Sequence, residues 1–349
     1  MNKAYEVIAA NGGSYIDGVP TLHWGQWHDN AYIGCIAAVT QALGDPVSYE
    51  TLMGVSGVCY RLGLKVNWCP SSEIPQNGQV WDDQINAAIG CRMYALKDEH
   101  RRNRRVKESL DAGRPVLSCG LFGSPEWDML TGYDQNFFFG RSYFHTQGPG
   151  EPHYQPEEYH TPNRYPRAEL YPGVAPRSLM RFFDKPCKKG DPRKLLKKSL
   201  DICLAYWNHE PRADNRFGEA AYRVLIEGFG KSDEEFAKIF DTACYHVGCL
   251  ADARRCAYLY LQDAAALLRE ANRERLLEVA GAYQSIVDGI LAVTPYEMLG
   301  VAWAGGENRI ENWDRALRRE LVTALERAIE TEKRIQLAVR DILAHWEAA

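Results

Sequence analysis

The sequence predicts an α+β unit followed by an all-helical bundle. Three observations carry that expectation. Residues 1–144 place helical runs first and paired apolar runs of strand length later, an α+β pattern rather than a βαβ repeat. Residues 145–177 hold seven prolines and four tyrosines, which excludes a helix or a central strand. From residue 191 onward, apolar residues recur at helical spacing. The 349 residues suit two domains, and the boundaries expected are 1–144, a loop or lid over 145–190, and 191–349.

In the first unit, Gly34 to Leu43 (GCIAAVTQAL) is small and apolar on most sides, as a buried helix would be. Ser48 is placed to cap a second helix. A charged helix ends at Glu108–Ala112, with Gly113 where a C′ glycine belongs. Pro115–Leu121, Trp127–Asp134 and Asn136–Tyr143 have strand length, the last two joined by a tight turn near Asp134-Gln135. The tyrosine content of the proline-rich segment argues for a lid packed on the first domain rather than a bare tether.

In the second unit, Asp191-Pro192 reads as an N-cap followed by proline at the first helical position. Leu196, Leu200, Cys203 and Trp207 share one helical face. Ser232-x-x-Glu235 is a capping box, opening a helix expected to run through Phe236 and Phe240. Thr294-Pro295 starts another helix, and Gly305-Gly306 breaks the pattern. The last helix carries Leu317, Leu321, Leu325, Ala328, Ile335, Val339, Ile342 and Trp346 on one face, with Arg and Glu opposite.

Composition narrows the function classes. A net charge of −5 is not that of a nucleic-acid-binding protein. No window approaches 18 uncharged apolar residues, so no membrane span is expected. The N-terminus has no long apolar signal core, and the ten cysteines follow no framework spacing. A cytoplasmic protein with reduced thiols is the expectation. No cofactor or metal is called for. His145, His153 and His160, spaced H-x7-H-x6-H, match no zinc pattern. Cys244, His246, Cys249 and Cys256 are spaced for core packing rather than chelation. Cys69 reads as a loop cysteine. Phosphate-loop, dinucleotide, nucleophile-elbow and zincin motifs do not occur.

Two stretches carry a resemblance: Gly44–Leu62 (GDPVSYETLMGVSGVCYRL) and Gly113–Asp134 (GRPVLSCGLFGSPEWDMLTGYD). They resemble the N-terminal domain of the butirosin biosynthesis protein H family, which is related to bacteriocin-processing cysteine peptidases and to papain. Arg216–Phe229 is similar to a helix often appended to such domains. The resemblance implies a papain-like fold and a site built from a cysteine at a helix N-terminus, a histidine base and an orienting Asp or Asn.

Counted onto this chain, all three positions differ. The nucleophile position falls on Asn30, with Cys35 five residues late. The histidine position falls on Glu126, six residues before Gly132. The orienting position falls within Phe138-Phe139-Gly140-Arg141, where there is no acid. The leading expectation is therefore a protein that no longer performs thiol catalysis and binds a small polar metabolite or peptide in the old cleft. Asn30 and Glu126 are its candidate ligand-binding residues, joined by Trp127 and Asp134 on the same strand, and a role accessory to secondary metabolism is implied.

The alternative is a cysteine-dependent acyltransferase or amidohydrolase using Cys35, with His23, His28 or His145 as base. An acidic acyl carrier protein docking on the basic run Arg101, Arg102, Arg104 and Arg105 is a further candidate partner, although a solvated helix face explains that run as well. A third reading is an interaction protein, a homodimer formed through the helical domain.

Overall fold

The structure is a computed structural model. It describes residues 7–10, 12–17, 19–20, 22, 26–70, 81–119, 126–134, 137–143, 163–166, 180–299 and 308–346. The His145–His160 cluster, His23, Gly305-Gly306 and most of the expected lid lie outside these residues. The fold is α+β, with small antiparallel sheets and a helical C-terminal region.

The chain divides into two compact units. The first is Met1–Tyr49 with Ile85–Lys189; the second is Glu50–Gln84 with Gly190–Ala349. The second unit resumes at Gly190. No cut falls at 144, and residues 50–84 belong with the helical region. The chain returns to the first unit within α3 (Trp81–Ile89).

In the first unit the sheet is antiparallel throughout. It contains β1 (Val7–Ala10), β2 (Gly13–Ile16), β6 (Trp127–Tyr133), β7 (Phe137–Arg141) and β8 (Asn163–Pro166) in that order, with β5 (Val116–Cys119) also paired to β6. The expected β6–β7 pair is present, with Met129 opposite Arg141. A separate ribbon pairs β4 (Cys91–Tyr94) with β9 (Phe182–Pro186). Helices α1 (Ala31–Ala42) and α4 (Glu99–Asp111) both pack against β6. From Asp128 to Tyr133 that strand is buried without alternation, as a strand covered on both faces must be.

Helix α1 is apolar nearly all round and buried along most of its length. Gly34 is required within it: a Cβ there would lie 2.0 Å from the Tyr143 hydroxyl, which donates to the His28 carbonyl at 2.9 Å. Helix α4 ends as expected, with Ala112 as its C-cap and Gly113 at φ 71°. Its basic run is not the uniform solvated face expected. Arg102 is buried, and Arg105 reaches Tyr94 at 3.1 Å and pairs with Asp184 and Glu108. Only Arg101 and Arg104 are exposed, and they are what is left of that run to meet an acidic partner.

The second unit contains α5 (Pro192–Trp207), α6 (Gly218–Phe229), α7 (Asp233–Ala237), α8 (Phe240–Ala264), α9 (Glu270–Leu291) and α10 (Arg315–Ala344). Asp191 caps α5 and Asp314 caps α10 through their side chains. The Ser232/Glu235 capping box forms. The helix it opens stops at Ala237, and α8 begins at Phe240, so one expected helix is two. Among the described residues, Thr294-Pro295 is followed by a 3-10 turn, Tyr296–Leu299, and not by an α-helix.

The unit is not purely helical. It takes in α2 (Tyr49–Val55) from Glu50 onward and β3 (Gly63–Lys65), which pairs with β10 (Asn215–Phe217). Gly54 lies against the Tyr260 ring, where a Cβ would come within 2.0 Å. Arg254 of α8 donates to the carbonyls of Cys59 and Arg61 at 2.8 and 3.1 Å, bonds that hold residues 50–62 to the helices.

Candidate functional site

The sequence-nominated residues of the first unit fall on α1 and β6, and the structure gathers some of them and separates others. Asn30 is the N-cap of α1. Its side-chain oxygen accepts from the Ile33 backbone N–H at 3.0 Å, and its own N–H donates to the Tyr49 hydroxyl at 2.9 Å. The side-chain oxygen of Asn30, a candidate ligand-binding residue, is committed to the helix.

Asp134 is also displaced from the expected grouping. It follows the last residue of β6, whereas Glu126 precedes the first. Eight residues of extended chain separate them, roughly 25 Å at strand rise. Glu126 and Asp134 therefore do not share one small-ligand site.

Cys35 lies in the second turn of α1 and is fully buried. Burial pushes its thiol well above the ordinary range, and the Asp128 and Glu126 carboxylates and the Cys119 thiol push it further the same way. The helix dipole cannot offset this, because its effect fades beyond the first turn. Cys119, at the end of β5, is pushed up to about 12, by burial first and then by Asp128 and Glu126. Both thiols are held protonated in a place where a nucleophile would need the thiolate.

The surroundings of Cys35 do bring chemistry together, but around carboxylates. Glu126 immediately precedes β6 and Asp128 lies within it, and both carboxylates act on the Cys35 and Cys119 thiols. Asp128 is buried at 2% exposure, and Ser118, its cross-strand partner, donates a hydrogen bond to it. Glu126 is half-buried. Trp127 packs against Tyr32, ring centroids 4.7 Å apart and planes inclined at 49°, and the Arg181 guanidinium lies over its ring at 5.9 Å. Sequence reasoning missed Asp128, Ser118 and Cys119. Proximity to Glu126 in sequence was the signal available for Asp128; for Ser118 and Cys119 the strand register was needed.

His28, an alternative base, sits just before α1 with its ring 4.3 Å from that of Tyr49. A pocket of about 130 Å³ lies beside it, lined by Leu22, Gln26, Gln41 and Tyr143. It opens on the Gly34–Ala38 side of α1 rather than at Cys35, and is smaller than the several hundred Å³ of an ordinary metabolite pocket. Among the described residues no group of three His, Cys, Asp or Glu side chains is placed to hold a metal ion, and no helix is long and apolar enough to cross a membrane.

One expected result follows for the thiol. Iodoacetamide at pH 6 to 9 should leave Cys35 unlabelled in the native protein and label it only after denaturation, read by peptide mass mapping. Labelling of Cys35 alone near pH 6 would reinstate it as a nucleophile, since only an activated thiolate reacts so far below the ordinary pKa of about 8.5.

Compared with models of known protein families and with curated protein sequences, the chain matches none.

Proposed function

We propose that the first unit is a papain-like domain that has given up thiol catalysis and binds a cationic ligand, an amine-bearing metabolite or a basic peptide. The observation that carries this reading is the pairing of Asp128 and Glu126 beside two thiols that burial keeps neutral. Two carboxylates oppose a thiolate and favour a cation. An ammonium group has three donors to offer carboxylates, and Trp127 lies between the two in sequence, its ring already beneath the Arg181 guanidinium. The reading keeps Glu126 and Trp127 as ligand-binding residues, adds Asp128, and leaves Asn30 and Asp134 to other roles.

The test uses diamines as probes against diols of the same length. A diamine at about one hundred times its Kd stabilises the protein by about 2.7 kcal/mol, which a thermal melt resolves. The diols should give no shift. Glu126→Gln, a half-buried position, should fold normally and lose most of the diamine response. Equal shifts with diols, or an undiminished shift in Glu126→Gln, would defeat the reading.

A further inference from the structure

Five arginines are buried among the described residues, and four of them are provided for. Arg254 donates to Glu332 and to two carbonyls, and Arg318 donates to the Lys231 carbonyl and pairs with Asp233. Arg141 donates to the Val19 carbonyl at 3.0 Å, and the Arg61 guanidinium lies over the Tyr206 ring. The fifth is Arg102 of α4, only 6% exposed. No hydrogen bond, ion pair or ring contact reaches its side chain among the described residues, and its Nε is sealed from solvent. An unpaired cation is far costlier to bury than a paired one. The same helix shows that this unit can supply partners. Arg105, three residues on and less buried, meets Tyr94, Glu108 and Asp184.

The place of Arg102 in the helix says where its charge lies. Helical side chains lean toward the N-terminus, over the preceding turn. Arg102 is the fourth residue of α4, so its stem runs back over the first turn. There the N–H groups of Glu99 and His100 have no partner within the helix. Asp98, the N-cap, accepts from the Arg101 N–H at 2.7 Å. It stands four residues before Arg102, a spacing at which an acid and a base readily pair, yet no ion pair joins the two. Lys97, Arg101 and Arg104 are exposed and have no ion pair among the described residues. Residues 97–104 thus hold four side-chain cations against the two acids Asp98 and Glu99, in a chain whose net charge is −5.

We infer that the first turn of α4 is a phosphoryl-binding site and that Arg102 is the residue that holds the anion. The site is independent of the carboxylate pair proposed above to take a cation. A helix N-terminus offers an oxyanion free N–H groups and the positive end of the dipole. The guanidinium fork of Arg102 adds two parallel donors, a geometry that matches phosphate oxygens. Asp98 occupies the Arg101 N–H, so the anion belongs on the Arg102 side of the turn. The unpaired charges of Lys97, Arg101 and Arg104 favour a dianion over a monoanion such as a carboxylate. Free phosphate and a small phosphate monoester present the same chemistry, since both carry a near-dianionic group with three strong acceptor oxygens. Binding also gives the buried guanidinium the counter-ion that the described residues do not supply.

Thermal melts and titration calorimetry of the full chain test this, with inorganic phosphate, glycerol 3-phosphate, acetate and chloride compared at matched ionic strength. Phosphate should raise the Tm where chloride and acetate do not. A matching shift with glycerol 3-phosphate assigns the site to a phosphorylated ligand, and a shift with phosphate alone assigns it to the free ion. Arg102→Met keeps the apolar stem and removes the charge. It should melt in chloride at or above the wild-type temperature and bind phosphate at least ~10-fold more weakly. Arg102→Lys, which keeps a charge without the fork, should fall between the two. Arg340→Met, a like change at an exposed position of α10, should leave the phosphate response as it is. Three results would overturn the assignment. One is a wild type that responds to phosphate no more than to chloride or acetate. Another is an Arg102→Met chain that keeps wild-type phosphate affinity. The third is an Arg102→Met chain that melts well below wild type in chloride, which would mean that the fold already satisfies the charge.

Discussion

Glu332→Ala should destabilise the helical unit by about 3–5 kcal/mol, the cost of stranding a buried charge. Glu332 of α10 and Arg254 of α8 are each only 1% exposed, with Arg254 Nε donating to Glu332 Oε1 at 2.6 Å. The Tyr222 hydroxyl donates to the same carboxylate at 3.1 Å. Burial alone would lower the Arg254 pKa; Glu332 first, then Tyr222 and Tyr283, outweigh it and the net shift is upward. Removing the carboxylate leaves the guanidinium charged and without its counter-ion in the core. Against a total stability of about 5–15 kcal/mol, that is a large fraction, so urea unfolding followed by the helical signal should show it directly.

The companion variant separates charge from packing. R254M/E332M removes both charges, and such replacements are often neutral where the ions bonded only to each other. Here Arg254 also serves the Cys59 and Arg61 carbonyls. Those would be left unpaired at about 1–3 kcal/mol each, so the double variant should recover only part of the loss. A Glu332→Ala effect below about 1 kcal/mol would mean that water or another group reaches Arg254.

This network also marks where the sequence was readable. The local signals were legible: the apolar α1, the Gly113 stop, the β6–β7 strands, the Asp191-Pro192 start and the Ser232/Glu235 box each depend on residues within a few positions of one another. The inclusion of residues 50–62 in the helical unit was not. It depends on Gly54 meeting Tyr260 and on Arg254 meeting carbonyls nearly two hundred positions away, contacts that no local period encodes. Nothing in the local sequence sets Arg254 apart from Arg255; only the packing buries Arg254. The site divides the same way. Glu126 could be found by counting, and Asp128 by its place two residues on. The loss of Asn30 to helix capping was foreseeable from residue type, because asparagine before an apolar helical run is a preferred cap. The burial of Cys35 against the Asp128–Glu126 pair needed β6 to be placed against α1.

Acid should unfold the helical unit through His246 in particular. This side chain is fully buried in α8, and its pKa is lowered from 6.5 to about 3, by burial, against a smaller opposing contribution from a hydrogen bond with the Cys69 backbone. A depressed folded-state pKa means that the unfolded chain takes up the proton first. The stabilisation is therefore fully present above pH 6.5 and is lost as pH falls from 6.5 toward 3. Within that window the slope is about 1.4 kcal/mol per pH unit for one proton. Between pH 7 and pH 4 the loss is roughly 3 kcal/mol. Other groups also titrate there, so the comparison must isolate this one. His246→Gln should be less stable than wild type at pH 7, where it loses packing. The gap should then close by about 1.4 kcal/mol for each pH unit below 6.5, because the variant has no imidazole to protonate on unfolding. Urea midpoints at pH 7, 5.5 and 4 supply the test. Parallel stability curves would mean that the imidazole is protonated in the folded state, and hence that His246 is reached by water or a carboxylate in solution.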